Sequence, residues 1–256
     1  ILVCLVGSEM CIRDRYEAKQ MPLKFFLKFF QNHGLFNLKN RPQWYTIKNR
    51  SRTYVKKILE TISGEYYKNY RINKISRLSN GVKVYYGGNN EFFDYDKVVI
   101  ATHADEALSL ITDPTPEEKS ILANFKYKNN IAIIHTDETL MPKNKKAWSS
   151  WNSSVNKENT SETSITYWLN LLQNLKTNKN IFLSLNPFLK IDPKKIISKV
   201  KFTHPYYDKE ALENQNRLKN IQNKKNLLFC GSYFGYGFHE DGIKSSLEMI
   251  KSFNDR

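Results

Sequence analysis

Hydrophobic residues along this chain follow two periodicities, and together they predict an α/β (α+β) protein. Pro22–Phe36 sets Phe25, Phe26, Phe29 and Phe30 between lysines at helical spacing, with Gly34 as a stop signal. Such an aromatic face packs into a core or lines a cavity, the preferred reading, or else lies on a membrane surface. Arg41–Thr46 reads as loop or short strand, and Thr53–Ser63 as a helix ended by Gly64. Tyr67–Ile75, Val82–Tyr86 and Asp94–Ala101 predict three strands, joined by turns at Ser79-Asn80-Gly81 and Gly87–Asn90. The third runs into small residues and a short helix, as the strands of a dinucleotide-binding sheet do near their ligand.

Asp113-Pro114-Thr115-Pro116 marks a linker, and Pro116–Phe125 predicts a helix capped by Thr115. Beyond it, Ile131–Thr136, Ala147–Asn152, Ser164–Trp168 and Ile181–Leu185 predict an antiparallel sheet. Leu169–Leu175 is a helical interruption, and the polar stretch Ser153–Glu162 reads as a mobile loop. Asp208–Ile221 predicts an amphipathic helix and Asn226–Gly231 a buried strand. Gly235, Gly237 and Gly242 punctuate the next loop, and Ile243–Phe253 predicts the last helix.

Composition narrows the class. The 256 residues are 40% hydrophobic, enough for one large core or two smaller ones and too much for a disordered chain. Leu5–Asp14, LVGSEMCIRD, corresponds to a translated sequencing-library adapter, so Ile1–Arg15 is set aside as an artefact. Cys4 and Cys11 go with it, leaving Cys230 alone and no disulfide framework. No apolar run approaches the roughly 20 residues of a membrane span. The net charge of +15 survives the exclusion, since Arg13 and Arg15 balance Glu9 and Asp14. Lysine and asparagine are abundant throughout, so the cations are read as scattered over solvated faces, and no nucleic-acid partner is expected.

Chemistry concentrates in the C-terminal segment NLLFCGSYFGYGFHEDGIKSSLEMIKSF, an apolar strand ending at Gly231 and leading to a helix that begins near Asp241-Gly242. Small residues let backbone approach a ligand, and a helix N-terminus favours an anion. The stretches HGLFNLKNRPQWYTI, SRTYVKKIL, YDKVVIATHADEALSLITDPTPEE, NNIAIIHTDETLMP, AWSSWN, TYWLNLLQNL, SLNP, THPYYD and FCGSYFGYGFHEDGIKSS accompany it in order. With them, Pro22–Phe253 resembles the bacterial flavin-containing amine-oxidase-like oxidoreductases, also described as predicted NAD/FAD-binding proteins.

The resemblance implies an incomplete two-domain FAD-dependent oxidoreductase fold of the amine-oxidase type. Residues 16–43 and 111–205 would form an antiparallel-sheet substrate domain, and 44–110 and 206–256 part of the FAD-binding domain. It implies that Ile72, within Ile72-x-x-Ile75, offers its backbone to adenine, that Ala101, Thr102 and His103 end a strand beside the cofactor, and that Gly231-Ser232 approaches the pyrophosphate. Gly237, Phe238, His239, Glu240, Asp241 and Gly242 would pass along the flavin's pyrimidine edge, with the last helix stabilising negative charge there.

Three departures temper the resemblance. The family binds FAD through an N-terminal βαβ unit with a GxGxxG turn, and no such turn occurs in this chain, so the chain alone is expected to hold FAD poorly and to be inactive. Asn49 and Arg50 stand where relatives carry paired glycines. Ala132 stands where amine oxidases place a lysine bridged to the flavin by water, although Lys126 and Lys128 lie close by.

Trp148, Trp151, Tyr167, Trp168, Phe234 and Tyr236, with Tyr206, Tyr207 and Phe238, either wall an apolar substrate cavity or fill an ordinary core. His135, His204 and His239 are candidate general bases or hydrogen-bonding groups. His239-Glu240-Asp241 lacks metal-ligand spacing, no metal is expected, and Glu240 and Asp241 are read as cap or charge complement of the last helix. The expectation is a hydride-transferring FAD oxidoreductase that oxidises a C–N or C–C bond. Its aromatic, positive setting favours a small apolar or acyl-lipid substrate over a cationic amine. The expected location is the cytoplasm, with peripheral contact at the inner face of the membrane. A non-catalytic binding domain or truncated fragment is the alternative, and a basic nucleic-acid-binding protein the remoter one.

Overall fold

The computed structural model describes residues 22–253, apart from residues 33, 35, 41, 42, 44, 46, 50, 89, 90, 160 and 161 and the side chains of Phe25 and Phe29. The adapter-like segment Ile1–Arg15 and the loop residue Arg50 lie outside the described residues.

Helices α1 (Leu23–Asn32) and α2 (Ser51–Thr61) come first. Gly34 adopts the left-handed backbone (φ 62°) that halts α1, and Asn49 does the same (φ 62°) just before α2. Strands β1 (Ile72–Leu78), β2 (Gly81–Tyr86) and β3 (Glu91–Tyr95) then form an antiparallel meander. The strand predicted at Tyr67–Ile75 starts only at Ile72. Tyr67 and Tyr70 instead turn their rings onto Phe93 and Tyr86, at centroid distances of 5.4 and 4.9 Å.

The strand predicted at Asp94–Ala101 is divided between two sheets. Tyr95 pairs with Val82 at the end of β2, so the register runs out there. After a bend, β4 (Val98–Ile100) finds a new partner in β10 (Leu227–Phe229), to which it runs parallel. Ala101, Thr102 and His103 then lead into α3 (Ala104–Leu110). Helix α4 (Pro116–Leu122) stops short of the predicted Phe125, which turns into the core. Thr115 and Glu118 form its reciprocal capping box. Glu118 also pairs with Arg77 of β1, and both side chains are buried, so α4 is bolted to the meander.

The larger sheet has five antiparallel strands in the order β6 (Trp151–Val155), β7 (Thr163–Trp168), β8 (Phe182–Leu185), β5 (Lys126–His135) and β9 (Ile196–Tyr206). The strand expected at Ala147–Asn152 begins at Trp151, because Lys145–Ala147 form a single 3-10 turn capped by Asn144. The stretch Ser153–Glu162, expected to be a mobile loop, is partly strand. Ser153, Ser154 and Val155 pair with β7, and the Asn156 and Asn159 amides donate to the Glu162 carboxylate.

Helix α5 (Leu169–Leu172) caps one face of the sheet. That face packs Ala132, Ile165, Tyr167, Leu183 and Leu185 against Leu169. On the other face, His135, Ser184 and Thr166 form a buried hydrogen-bond chain. The Asp137 N–H donates to His135 Nδ1 at 3.1 Å, which leaves the proton on Nε2 to donate to Ser184 Oγ at 2.8 Å.

The helix predicted over Asp208–Ile221 is two pieces: α6 (Lys209–Gln215), capped by Asp208, and a 3-10 turn at Leu218–Ile221. Leu218 and Ile221 are both buried, and the tighter turn aligns residues three apart onto the core. Helix α7 (His239–Phe253) starts four residues before the predicted Ile243. The main core gathers Ile75, Val82, Ile100, Leu122, Ala211, Leu218, Leu227, Phe229 and Tyr233, so that meander, β4–β10 pair, α4, α6 and the 3-10 turn share one interior.

Candidate functional site

Parallel pairing brings the ends of β4 and β10 side by side, so Ala101–His103 and the loop after Phe229 emerge together. A Cβ placed on Gly231 would lie 3.4 Å from the Thr102 carbonyl oxygen, which measures how closely the two backbones pass. Ala101 and Thr102 are exposed and His103 is half-buried.

The His103 ring stacks on Tyr127 of β5, with centroids 4.2 Å apart and planes 14° apart, and its Nδ1 lies 3.3 Å from Thr203 Oγ1 of β9. The Tyr127 hydroxyl accepts the Ala104 N–H at 2.9 Å, taking up one of the donors that a helix start leaves open. Burial pushes the Tyr127 hydroxyl pKa well above its ordinary value, so it stays protonated. His103 is therefore the point where the end of β4 meets the five-stranded sheet.

The loop from Gly231 to Phe238 is held from within the chain. Gln215 Nε2 donates to the carbonyls of Tyr233 and Gly235, at 3.0 and 2.6 Å. Gly237 has φ 92°, and a Cβ there would lie 3.0 Å from the Tyr207 hydroxyl oxygen, so both backbone and space call for glycine. At Gly235 a Cβ would collide with the Asp241 carboxylate. That carboxylate accepts the N–H groups of Tyr236 and Phe238, at 3.0 and 2.9 Å, and thereby closes the start of α7. Glu240 forms an exposed i,i+4 pair with Lys244.

These contacts revise how the loop meets an anion. The Gly231 N–H donates to Ser245 Oγ at 2.9 Å and the Gly237 N–H to the Ser232 carbonyl at 3.1 Å. With Phe238 bound by Asp241, three amides that the resemblance would aim at a cofactor, those of Gly231, Gly237 and Phe238, are engaged inside the chain, and Asp241 holds that of Tyr236 as well. His239, expected along the flavin edge, sits in the first turn of α7, where its Nδ1 lies 2.5 Å from the Tyr54 hydroxyl of α2. Glu240, Asp241 and Gly242 belong to the same turn rather than to a loop. Ile72 opens β1 and pairs with Tyr86 at the edge of the meander.

The aromatic residues fall into separate groups. Tyr167 is fully buried within the sheet's core face. Trp148 sets its edge to Trp168 and Phe182, at 5.3 and 5.7 Å, and its Nε1 donates to the Pro142 carbonyl. Trp151 is 42% exposed on the edge strand β6. Phe234 and Tyr236 pack against the main core near the buried Tyr207 and Tyr233. At the lysine position, Ala132 is buried between Leu185 and Val200. Lys126 is committed to Asp208 at 2.7 Å, and Lys128 lies over the Tyr206 ring. Among the described residues, no cluster of three His, Cys, Asp or Glu side chains could hold a metal ion.

Sequence reasoning missed Tyr127, Thr203 and Tyr54 as the partners of His103 and His239. Only the period-2 alternation of β9 was available to place Thr203 beside the strand end.

No family model matches the chain, and no curated protein matches it. Solved structures do. A putative protoporphyrinogen oxidase from Exiguobacterium sp. 255-15 superposes with a TM-score of 0.62 at 12% identity, over 99% of this chain and 62% of its own. A CLA-producing fatty acid isomerase from P. acnes gives 0.55 at 11% identity, over 80% and 52%. A redesigned putrescine oxidase gives 0.53 at 9% identity, over 79% and 52%. The chain thus spans between half and two thirds of these longer proteins, and what it shares with them is the fold, a mixed helix-and-sheet architecture with antiparallel sheets.

Proposed function

We propose that this chain is the C-terminal portion of an FAD-dependent oxidoreductase that oxidises a C–N or C–C bond, with an apolar or acyl-lipid substrate. The carrying observation is the junction at His103, where the end of a parallel strand, a glycine-bearing loop and a five-stranded antiparallel sheet converge. Flavin, when bound, supplies the hydride acceptor. Ala101, Thr102 and His103 are the exposed or half-buried groups of this chain that would face it.

The engaged amides of Gly231, Tyr236, Gly237 and Phe238 fit poorly with phosphate binding by this loop. In this reading the phosphates are met by a βαβ unit bearing the GxGxxG turn that this sequence does not contain, and residues 44–110 and 206–256 close over the cofactor from the other side. Residues 111–205, with 16–43, supply the substrate domain. The aromatic, positively charged setting is what favours an acyl substrate over a cationic amine, and Ala132 in place of a lysine removes the signature of amine oxidation.

The same engaged amides support a second reading, in which the chain by itself is a non-catalytic remnant. One experiment separates the two: the chain is purified alone and joined to the upstream region of its gene, each with FAD added. Retention of flavin by the joined protein alone, with anaerobic bleaching by an acyl lipid and not by an amine, is the expected result. A joined protein that stays colourless sinks the flavoenzyme reading. Bleaching by amines only overturns the substrate class.

A further inference from the structure

Cations are not spread evenly along this chain. Between Pro22 and Leu59 there is no Asp or Glu, while Lys24, Lys28, Lys39, Arg41, Lys48, Arg50, Arg52, Lys56 and Lys57 all fall there. The expectation of lysines scattered over solvated faces therefore fails for this segment. It opens with α1, LKFFLKFFQN, in which Leu23, Phe26, Leu27 and Phe30 recur at i, i+3, i+4 and i+7 on one side while Lys24, Lys28 and Gln31 occupy the next arc.

A helix packed into its own core would hide that stripe, yet Leu23 is 69% and Leu27 45% exposed. Phe30 stacks on Phe36 at 5.4 Å and folds the following turn back beside the helix. Just beyond, Leu38 is 91% exposed and Lys39 is exposed beside it. Leucines standing in water next to lysines are costly in solution and well suited to an interface, where the apolar stems enter the acyl boundary and the ammonium groups reach anionic headgroups.

Helix α7 makes the contrast. It too exposes an apolar stripe, Ile243, Leu247 and Ile250, but its charges cancel within the helix through Lys244–Glu240 and Lys251–Glu248. A neutral stripe of that kind suits a protein neighbour, whereas a stripe with uncompensated cations suits an anionic surface.

We propose that α1 and the Phe36–Lys39 turn form a peripheral docking element for the surface of an anionic lipid bilayer. This inference is independent of the flavin reading, because binding is measured without cofactor. The test is flotation of the intact chain with vesicles of phosphatidylglycerol and phosphatidylcholine, against vesicles of phosphatidylcholine alone.

Flotation should be at least about tenfold greater with the anionic vesicles and should fall as salt rises from about 0.05 to about 0.5 M. Leu23→Glu/Leu27→Glu and, separately, Lys24→Glu/Lys28→Glu should each remove most of it, with far-UV circular dichroism unchanged. Ile243→Glu/Leu247→Glu should leave it intact. Equal flotation with neutral vesicles, an equal loss from the α7 variant, or retention on duplex DNA with no flotation overturns the proposal, the last in favour of a nucleic-acid surface.

Discussion

The five-stranded sheet and the β4–β10 pair differ in how fully this chain covers them. In the sheet, every residue of β8 is buried, one face is sealed by Leu169 and its neighbours, and the other satisfies its polar groups through His135, Ser184 and Thr166. In the pair, Leu227, Leu228 and Phe229 are fully buried, with Leu228 under Met249 of α7, but Val99 of β4 is 40% exposed. Helix α7 buries Ser245 and Met249 on one side while exposing Ile243, Leu247 and Ile250 on another. A helix apolar on two faces is built for two neighbours. The middle of the antiparallel sheet is covered within this chain, although its edge strands expose Trp151, Ile197 and Val200, whereas the parallel pair and α7 present an apolar stripe suited to a further layer.

Core truncation gives the largest effect by which this contrast can be broken. Tyr167 is fully buried among Ile165, Leu183 and Leu185, so Tyr167→Ala should cost about 3–5 kcal/mol. Urea unfolding followed by circular dichroism measures it. A loss below about 1 kcal/mol would show that the sheet is as loosely covered as the parallel pair.

The two regions were also unequally legible in the sequence. β7 and β8 were readable because alternating or continuous apolar runs leave few other options. Helix α4 announced itself through Thr115, Pro116 and Glu118, whose cap chemistry is local. β9 was not predicted, although Val200 and Phe202 alternate with Lys199, Lys201 and Thr203, because its pairing with β5 is a long-range fact. The division of Asp94–Ala101 was equally hidden, since only β10, more than a hundred residues away, decides where β4 begins. At the site, strand, glycine loop and helix could be read in order, and Asp241 as a cap of that helix, but not that it reaches back as far as the amide of Tyr236 as well as that of Phe238. That depends on a loop shape fixed by Gln215 and Tyr207, which come from α6 and the chain before it.

An intermediate effect should appear in acid. Burial would raise the Asp137 pKa, but the N–H groups of Asp192 and Thr139, the Thr139 hydroxyl and Lys195 outweigh it and hold the carboxyl down from 3.8 to about 2. With the folded pKa depressed, the stabilisation is complete above the ordinary carboxylate value and is lost as pH falls from there through about 2. Asp137→Asn should cost about 1–3 kcal/mol at neutral pH and flatten that acid limb. Burial also lowers the pKa of His135 from 6.5, so its neutral form is the folded one, and stability should decline as pH drops below 6.5. His135→Gln should remove that second limb. A stability profile of unchanged shape in either variant would mean that neither group is held as its hydrogen bonds indicate.

The smallest effect in this chain is also the most discriminating. Ile243→Ser and Leu247→Ser alter residues more than half exposed, so unfolding should change by no more than about 0.5 kcal/mol. In a protein joined to its upstream region, the same stripe would lie against the added layer, and Leu247→Ser should then cost about 2 kcal/mol or more and weaken flavin retention. The ratio of the two losses reads out directly whether α7 has gained its second neighbour. Equal, negligible losses in both proteins would show that the stripe faces water in either context. The openness of the parallel pair would then be its finished state.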